Sequence, residues 1–112
     1  MNDKYSSYAN LCSELIPNYF DYLINQFYKI LPMKEENDAT LGTYLESFRT
    51  ELLGFCELAR LIEYDARFVS IISVVQYMID NPDAKHESVK REVFKAINIC
   101  KKLSSKYGEV IK

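Results

Sequence analysis

Two stretches of this chain repeat apolar residues at alternating steps of four and three. Leu41, Leu45, Phe48, Leu52, Phe55, Ala59 and Ile62 form one; Val89, Val93, Ala96, Cys100, Leu103 and Tyr107 form the other. Such spacing gathers every member on one side of an α-helix but scatters them over both faces of a β-strand. Only helices let the chain bury both stripes. The pattern predicts one helix from Leu41 to about Ile62 and another from His86 to Tyr107, with Phe94 and Ile97 widening the second stripe. Gly108 then stands as a left-handed cap, and 109–112 as a fraying tail.

The remaining punctuation fits the same class. Asp3 to Ile16 reads as a short helix on Tyr5, Tyr8, Leu11, Cys12 and Leu15. Pro17 either starts a second helix or kinks a continuous one. "PNYFDYLINQFYKIL" then places Phe20, Leu23, Ile24, Phe27, Ile30 and Leu31 on one face, and Pro32 is expected to end it. "PMKEENDAT" is a polar connector in which Asp38 or Thr40 caps the next helix. Gly42 and Gly54 weaken that helix, and Gly54 is read as a point of close helix approach. Asp65 caps "RFVSIISVVQYMI", whose apolar residues on nearly all sides mark it as the central, most buried helix. "DNPDAKH" is the following loop.

With only three Gly and three Pro, the chain has too few turn residues for an all-β fold. The expected fold is all-α: a small antiparallel helical bundle of four to five helices, forming one domain over 1–112. Its content, 48% apolar and 27% charged, is that of a globular chain. No apolar run approaches the roughly 20 residues needed to span a bilayer. "MNDKYSSYANLC" lacks a basic segment leading into an apolar one, so no signal peptide and no membrane partner are expected. Three cysteines, an odd and sparse set, fit reduced thiols and a cytoplasmic location. Abundant Lys, Asn, Ile and Tyr with no Trp is the bias of an AT-rich bacterial or phage genome.

Catalytic constellations are missing. There is no Gly-rich phosphate loop, GxSxG, HExxH or ExxH pair. Glu35, Glu36 and Asp38 lack the alternating ligands and Gly of a calcium loop. Cys12, Cys56 and Cys100 are evenly spaced, but little else is in register. They read as small hydrophobes, not as a repeat or a zinc site. The single histidine, His86, sits at a helix start and reads as a capping or solvated residue. A phosphotransfer histidine would be followed by small residues, which "HESVKREVF" does not supply. No catalytic residue, cofactor or metal is assigned, and the chain is not expected to be an enzyme.

Charge carries the functional signal. Residues 1–84 hold six basic and thirteen acidic residues, net −7; residues 85–112 hold eight and three, net +5. On the last helix Arg91, Lys95, Asn98 and Lys102 form an outer row flanked by Lys90 and Lys101. This face either balances acidic neighbours within the molecule, docks an acidic protein, or neutralises phosphates. Tyr19 and Tyr22, in an aromatic-rich first quarter, are candidates for a second contact surface. The expected function is a small cytosolic, non-enzymatic protein-binding module: an inhibitor, an antitoxin- or immunity-type factor, an adaptor or an assembly subunit. The alternative is a nucleic-acid-associated helical subunit using the basic last helix. A second copy is a further candidate partner, because either heptad stripe can serve a homodimer as well as a core.

Overall fold

The computed structural model describes the backbone of residues 2–58 and 65–111, and the side chains of residues 17–55 and 65–106. Within them the chain forms four helices and no strand: α1 (Asn2–Glu35), α2 (Leu41–Leu58), α3 (Ala66–Asp80) and α4 (His86–Ile111). Ala59 and Ile62 of the first stripe, Tyr107 of the second, and the side chains of Tyr5, Tyr8, Leu11, Cys12, Leu15 and Cys56 lie outside the described residues.

Two expected breaks are absent. Pro17 and Pro32 both lie inside α1, which is one helix of 34 residues. A proline removes its own N–H and crowds the carbonyl four residues back, but its own carbonyl still accepts. The Pro32 carbonyl accepts from Glu36 N at 2.9 Å, so the helix passes through. What stops it is Asn37, at φ 55. Asn37 N donates to Lys34 O (3.1 Å) and Asp38 N to Met33 O (2.9 Å), the paired closing bonds of a left-handed helix end. At the other end of the chain, Gly108 is helical and has no positive φ, so α4 continues to Ile111 instead of stopping at a cap.

The capping expectations hold. Asp38 Oδ1 accepts from Thr40 N (2.8 Å) and Thr40 Oγ1 (2.6 Å), while the Thr40 carbonyl takes the first bond of α2 from Tyr44 N. Asp65 Oδ1 accepts from Arg67 N at 2.9 Å at the start of α3. Asn81 closes α3 by donating its side-chain Nδ2 to Tyr77 O, and Pro82 follows.

α1 runs opposite to α4 and to α2. Ser104 near the end of α4 bonds Asp21 near the start of the described part of α1, and Lys34 at the far end of α1 reaches Pro82 before α4. Tyr44 early in α2 bonds Gln26, and Phe55 late in α2 stacks on Tyr19. Arg49 of α2 donates to Gln76 of α3 at 2.8 Å. Lys106 of α4 meets Asp65 before α3 at 3.1 Å. These contacts set α1 antiparallel to α2 and to α4 and tie α3 to both α2 and α4.

That core contains Phe20, Leu23, Phe27 and Ile30 of α1, and Leu45, Phe48 and Leu52 of α2. From α3 it takes Phe68, Ile71, Val74, Val75 and Met78, and from α4 Val89, Val93, Ala96, Ile97, Cys100 and Leu103. It is wholly apolar: no described polar or charged residue is buried. Hydrophobic burial therefore drives the fold, while the Asp65 carboxylate, its side chain 8% exposed, has Arg67 and Lys106 beside it. α3 has the largest buried share of the four helices among the described residues, five of its fifteen, as expected, but it is not enclosed on all sides. Val69 is 50% exposed and Tyr77 also faces water. The apolar residues of α3 exceed the area its neighbours cover. The α1 and α2 backbones stand further apart than those of α1 and α4, and aromatic rings bridge the gap, Phe27 on Phe48 at 4.9 Å and Tyr19 on Phe55 at 3.7 Å. Gly54 is not a close-approach site: it is exposed, and a Cβ built there meets nothing within 4 Å.

Candidate functional site: the cationic face of the last helix

α4 starts where the Lys85 carbonyl accepts from Val89 N (3.1 Å), with Glu87 suited to the positive end of the helix dipole. Its buried stripe is the four-three pattern of the sequence, down to Cys100 and Leu103. The opposite side is exposed throughout: Lys90, Arg91, Lys95, Asn98, Lys101, Lys102 and Ser105. At 1.5 Å per residue, the row from Arg91 to Lys102 runs about 16 Å along the helix.

None of Lys90, Arg91, Lys95, Lys101 and Lys102 pairs with an acid among the described residues. The ion pairs found there converge on Asp65, from Arg67 (3.5 Å) and Lys106 (3.1 Å). Of the described acids outside α4, Asp65 meets Lys106 and Asp21 meets Ser104, and none forms an ion pair with these five cations. Like charges four residues apart on a helix, such as Arg91 and Lys95, repel by a few tenths of a kcal/mol per pair, and on α4 itself only Glu87 and Glu92 stand within a turn to offset this. Arg67, Lys101, Lys102, Ser105 and Lys106 surround an open depression at one end of the face.

Beside the cations lies an aromatic pair. Phe94 of α4 packs edge-on against Tyr28 of α1, centroids 6.0 Å apart at 79°, and the two remain 37% and 42% exposed. Phe94 does widen the apolar stripe, but outward, onto the flank shared with Lys90 and Lys101. The signal for this was its position: 94 falls three or four residues from both Lys90 and Arg91, away from the centre of the stripe.

Tyr19 and Tyr22 sit elsewhere, on the flank of α1 that faces α2. Their hydroxyls donate to the two oxygens of one carboxylate, Tyr19 to Glu51 Oε2 at 3.1 Å and Tyr22 to Glu51 Oε1 at 3.0 Å. Burial, then the Glu51 charge and hydrogen bond, pushes the Tyr19 phenol far above its ordinary value; Tyr22 shifts the same way through burial and the bond to Glu51. Tyr44, whose hydroxyl donates to Gln26 Oε1 at 2.7 Å, is pushed up to about 12, mainly by burial. Tyr19 is half-buried and Tyr22 exposed. They form a clamp between α1 and α2, and the structure does not bring them together with the α4 cations.

His86 opens α4 half-buried, its Nε2 without a hydrogen-bond partner. No group of three or more His, Cys, Asp or Glu suited to a metal occurs among the described residues. Cys100 is buried, and burial raises its thiol to about 12. Among the described residues, no helix is long and apolar enough to cross a membrane. Comparison with protein-family models, curated proteins and solved structures finds no match to this chain. The functional reading therefore rests on the geometry of the face.

Proposed function

We propose that the chain is a small non-enzymatic protein-binding module, an antiparallel up-down four-helix bundle that docks an acidic protein partner on the outer face of α4. The observation that carries this reading is the set of five exposed cations, none of which forms an ion pair among the described residues. Surface charges usually find counter-charges nearby at little cost. A face held rigid by a buried stripe, its cations in no ion pair among the described residues, is suited to complementary charge from outside, which steers encounter and fixes register. Tyr28 and Phe94 supply an apolar contact at its edge, of the residue types favoured in interfaces. Under this reading the module works in the cytoplasm, as an inhibitor, immunity-type factor, adaptor or assembly subunit.

The test is the triple reversal Arg91→Glu/Lys95→Glu/Lys102→Glu, which touches no buried side chain. The expected outcome is unchanged helicity with loss of the protein partners that the wild-type chain retains from cell extract. Recovery of the same partners by the reversed face would reject the proposal. Retention of the wild type on immobilised DNA or RNA, falling steeply from low to moderate salt, would transfer the face to a nucleic-acid partner instead.

A further inference from the structure

At the end of the molecule opposite the Asp65 ion pairs, the end of α1, the start of α2, the end of α3 and the start of α4 enclose a cavity of about 280 Å³. Its floor is core: Ile30, Leu45, Met78 and Val89, all buried, line it. Leu41 and Ile79 form half-buried walls. Pockets for drug-sized molecules start at roughly 300 Å³, so this one suits a single ring or a short alkyl chain.

Gly42 stands at the mouth. Glycine inside a helix is destabilising by about 1 kcal/mol against alanine. Neither conformation nor crowding requires it here: Gly42 has no positive φ, and a Cβ built on it meets nothing within 4 Å. What its missing side chain does is leave the opening clear.

The rim is charged. Lys34 Nζ already donates to the Pro82 carbonyl at 2.9 Å. Asp38 has Oδ1 occupied by both Thr40 donors, which hold its carboxyl below the usual range, and Oδ2 unused by any bond within the described residues. Glu46 is exposed and forms no ion pair among the described residues. The rim thus carries two carboxylates and one lysine, a net charge of −1, and the Lys34 ammonium bonds the Pro82 carbonyl and forms no ion pair among the described residues.

We infer that this cavity is a binding site for a small amphipathic amine, its apolar body seated on the core residues and its ammonium group held by Asp38 and Glu46. The inference is independent of the α4 face. The full-length chain is titrated with phenethylamine, phenethyl alcohol and phenylpropionate, which share a ring and a spacer and differ in the head group, while methyl resonances of Leu41, Leu45, Met78 and Val89 are followed by NMR. The amine is expected to shift these resonances, the alcohol to bind about tenfold more weakly for want of a charge-assisted contact, and the carboxylate not to bind. Gly42→Leu fills the mouth and is expected to abolish the shifts while the chain stays folded. Asp38→Asn/Glu46→Gln, on the surface, is expected to bring the amine down to the level of the alcohol. Absence of shifts at these residues with the amine, equal binding of the carboxylate, or full amine affinity in either folded variant would overturn the inference.

Discussion

At the scale of single residues, several protons are held more tightly in the folded chain than outside it. Cys100 moves from 9.0 to about 12 through burial, and Tyr44 from 10.0 to about 12 through burial and the nearby Tyr22 and Glu51; Tyr19 moves further still. A group whose folded value is raised contributes stability that is complete below its unfolded value and is lost as pH rises through the folded one. Resistance to urea is therefore expected to hold up to pH 9 and to decline from there toward pH 12. Cys100→Ala, which also leaves a small cavity, is expected to move the onset of that decline toward the tyrosine value of 10.0. Denaturation curves across this range check both outcomes, and a flat pH profile would contradict the assigned environments. The buried identities behind these shifts were readable from spacing alone: Cys100 lies on the four-three stripe. The shared carboxylate of Tyr19 and Tyr22 was not, because the spacing of α1 does not say which residue of α2 lies opposite.

At the scale of helices, the periodic stripes located every element, whereas the ends followed other rules. Pro32 looks like a stop in the sequence because the residue before proline is disfavoured in the helical region. In the fold that local penalty yields to the packing of Phe27 and Ile30, and the chain turns only at Asn37, where a left-handed residue closes the helix. Pro32→Ala would restore one backbone bond in an exposed turn. It is expected to stabilise the chain by about 2 kcal/mol, the helix penalty of proline less its restraint on the unfolded chain. Gly54→Ala adds a methyl where nothing obstructs it, and is expected to contribute about 1 kcal/mol of stability. Thermal and urea unfolding check both; a loss at Gly54 would mean that the glycine serves something beyond the described packing. Among the described residues α3 is the most buried helix, as its apolar content implied, yet it is not covered all round, for a related reason. Apolar content reports how much surface a helix would prefer to bury, while the neighbours decide how much is covered, and Val69 and Tyr77 are left outside.

At the scale of the whole molecule, charge is segregated. The imbalance between the two parts of the sequence pointed to α4, but whether neighbouring acids would neutralise it depended on how the helices face one another. In the described fold Lys106 finds Asp65, while the five cations of the outer face form no ion pair. Added salt is expected to raise the melting temperature of the wild-type chain by screening the α4 cations from one another. It is expected to do less for an Arg91→Gln/Lys95→Gln/Lys102→Gln variant, which removes these charges without adding new like-charge neighbours. Equal salt responses would place compensating acids beside that face. The clamp on Glu51 has a separate consequence for observing the molecule. The chain has no tryptophan and nine tyrosines, so its intrinsic fluorescence is that of phenols. A carboxylate that accepts a phenol hydrogen bond quenches its emission, and Glu51 does so for two rings at once, each bridging α1 and α2. Any event that parts these two helices is expected to brighten the protein, giving it an unlabelled optical gauge of its own widest seam.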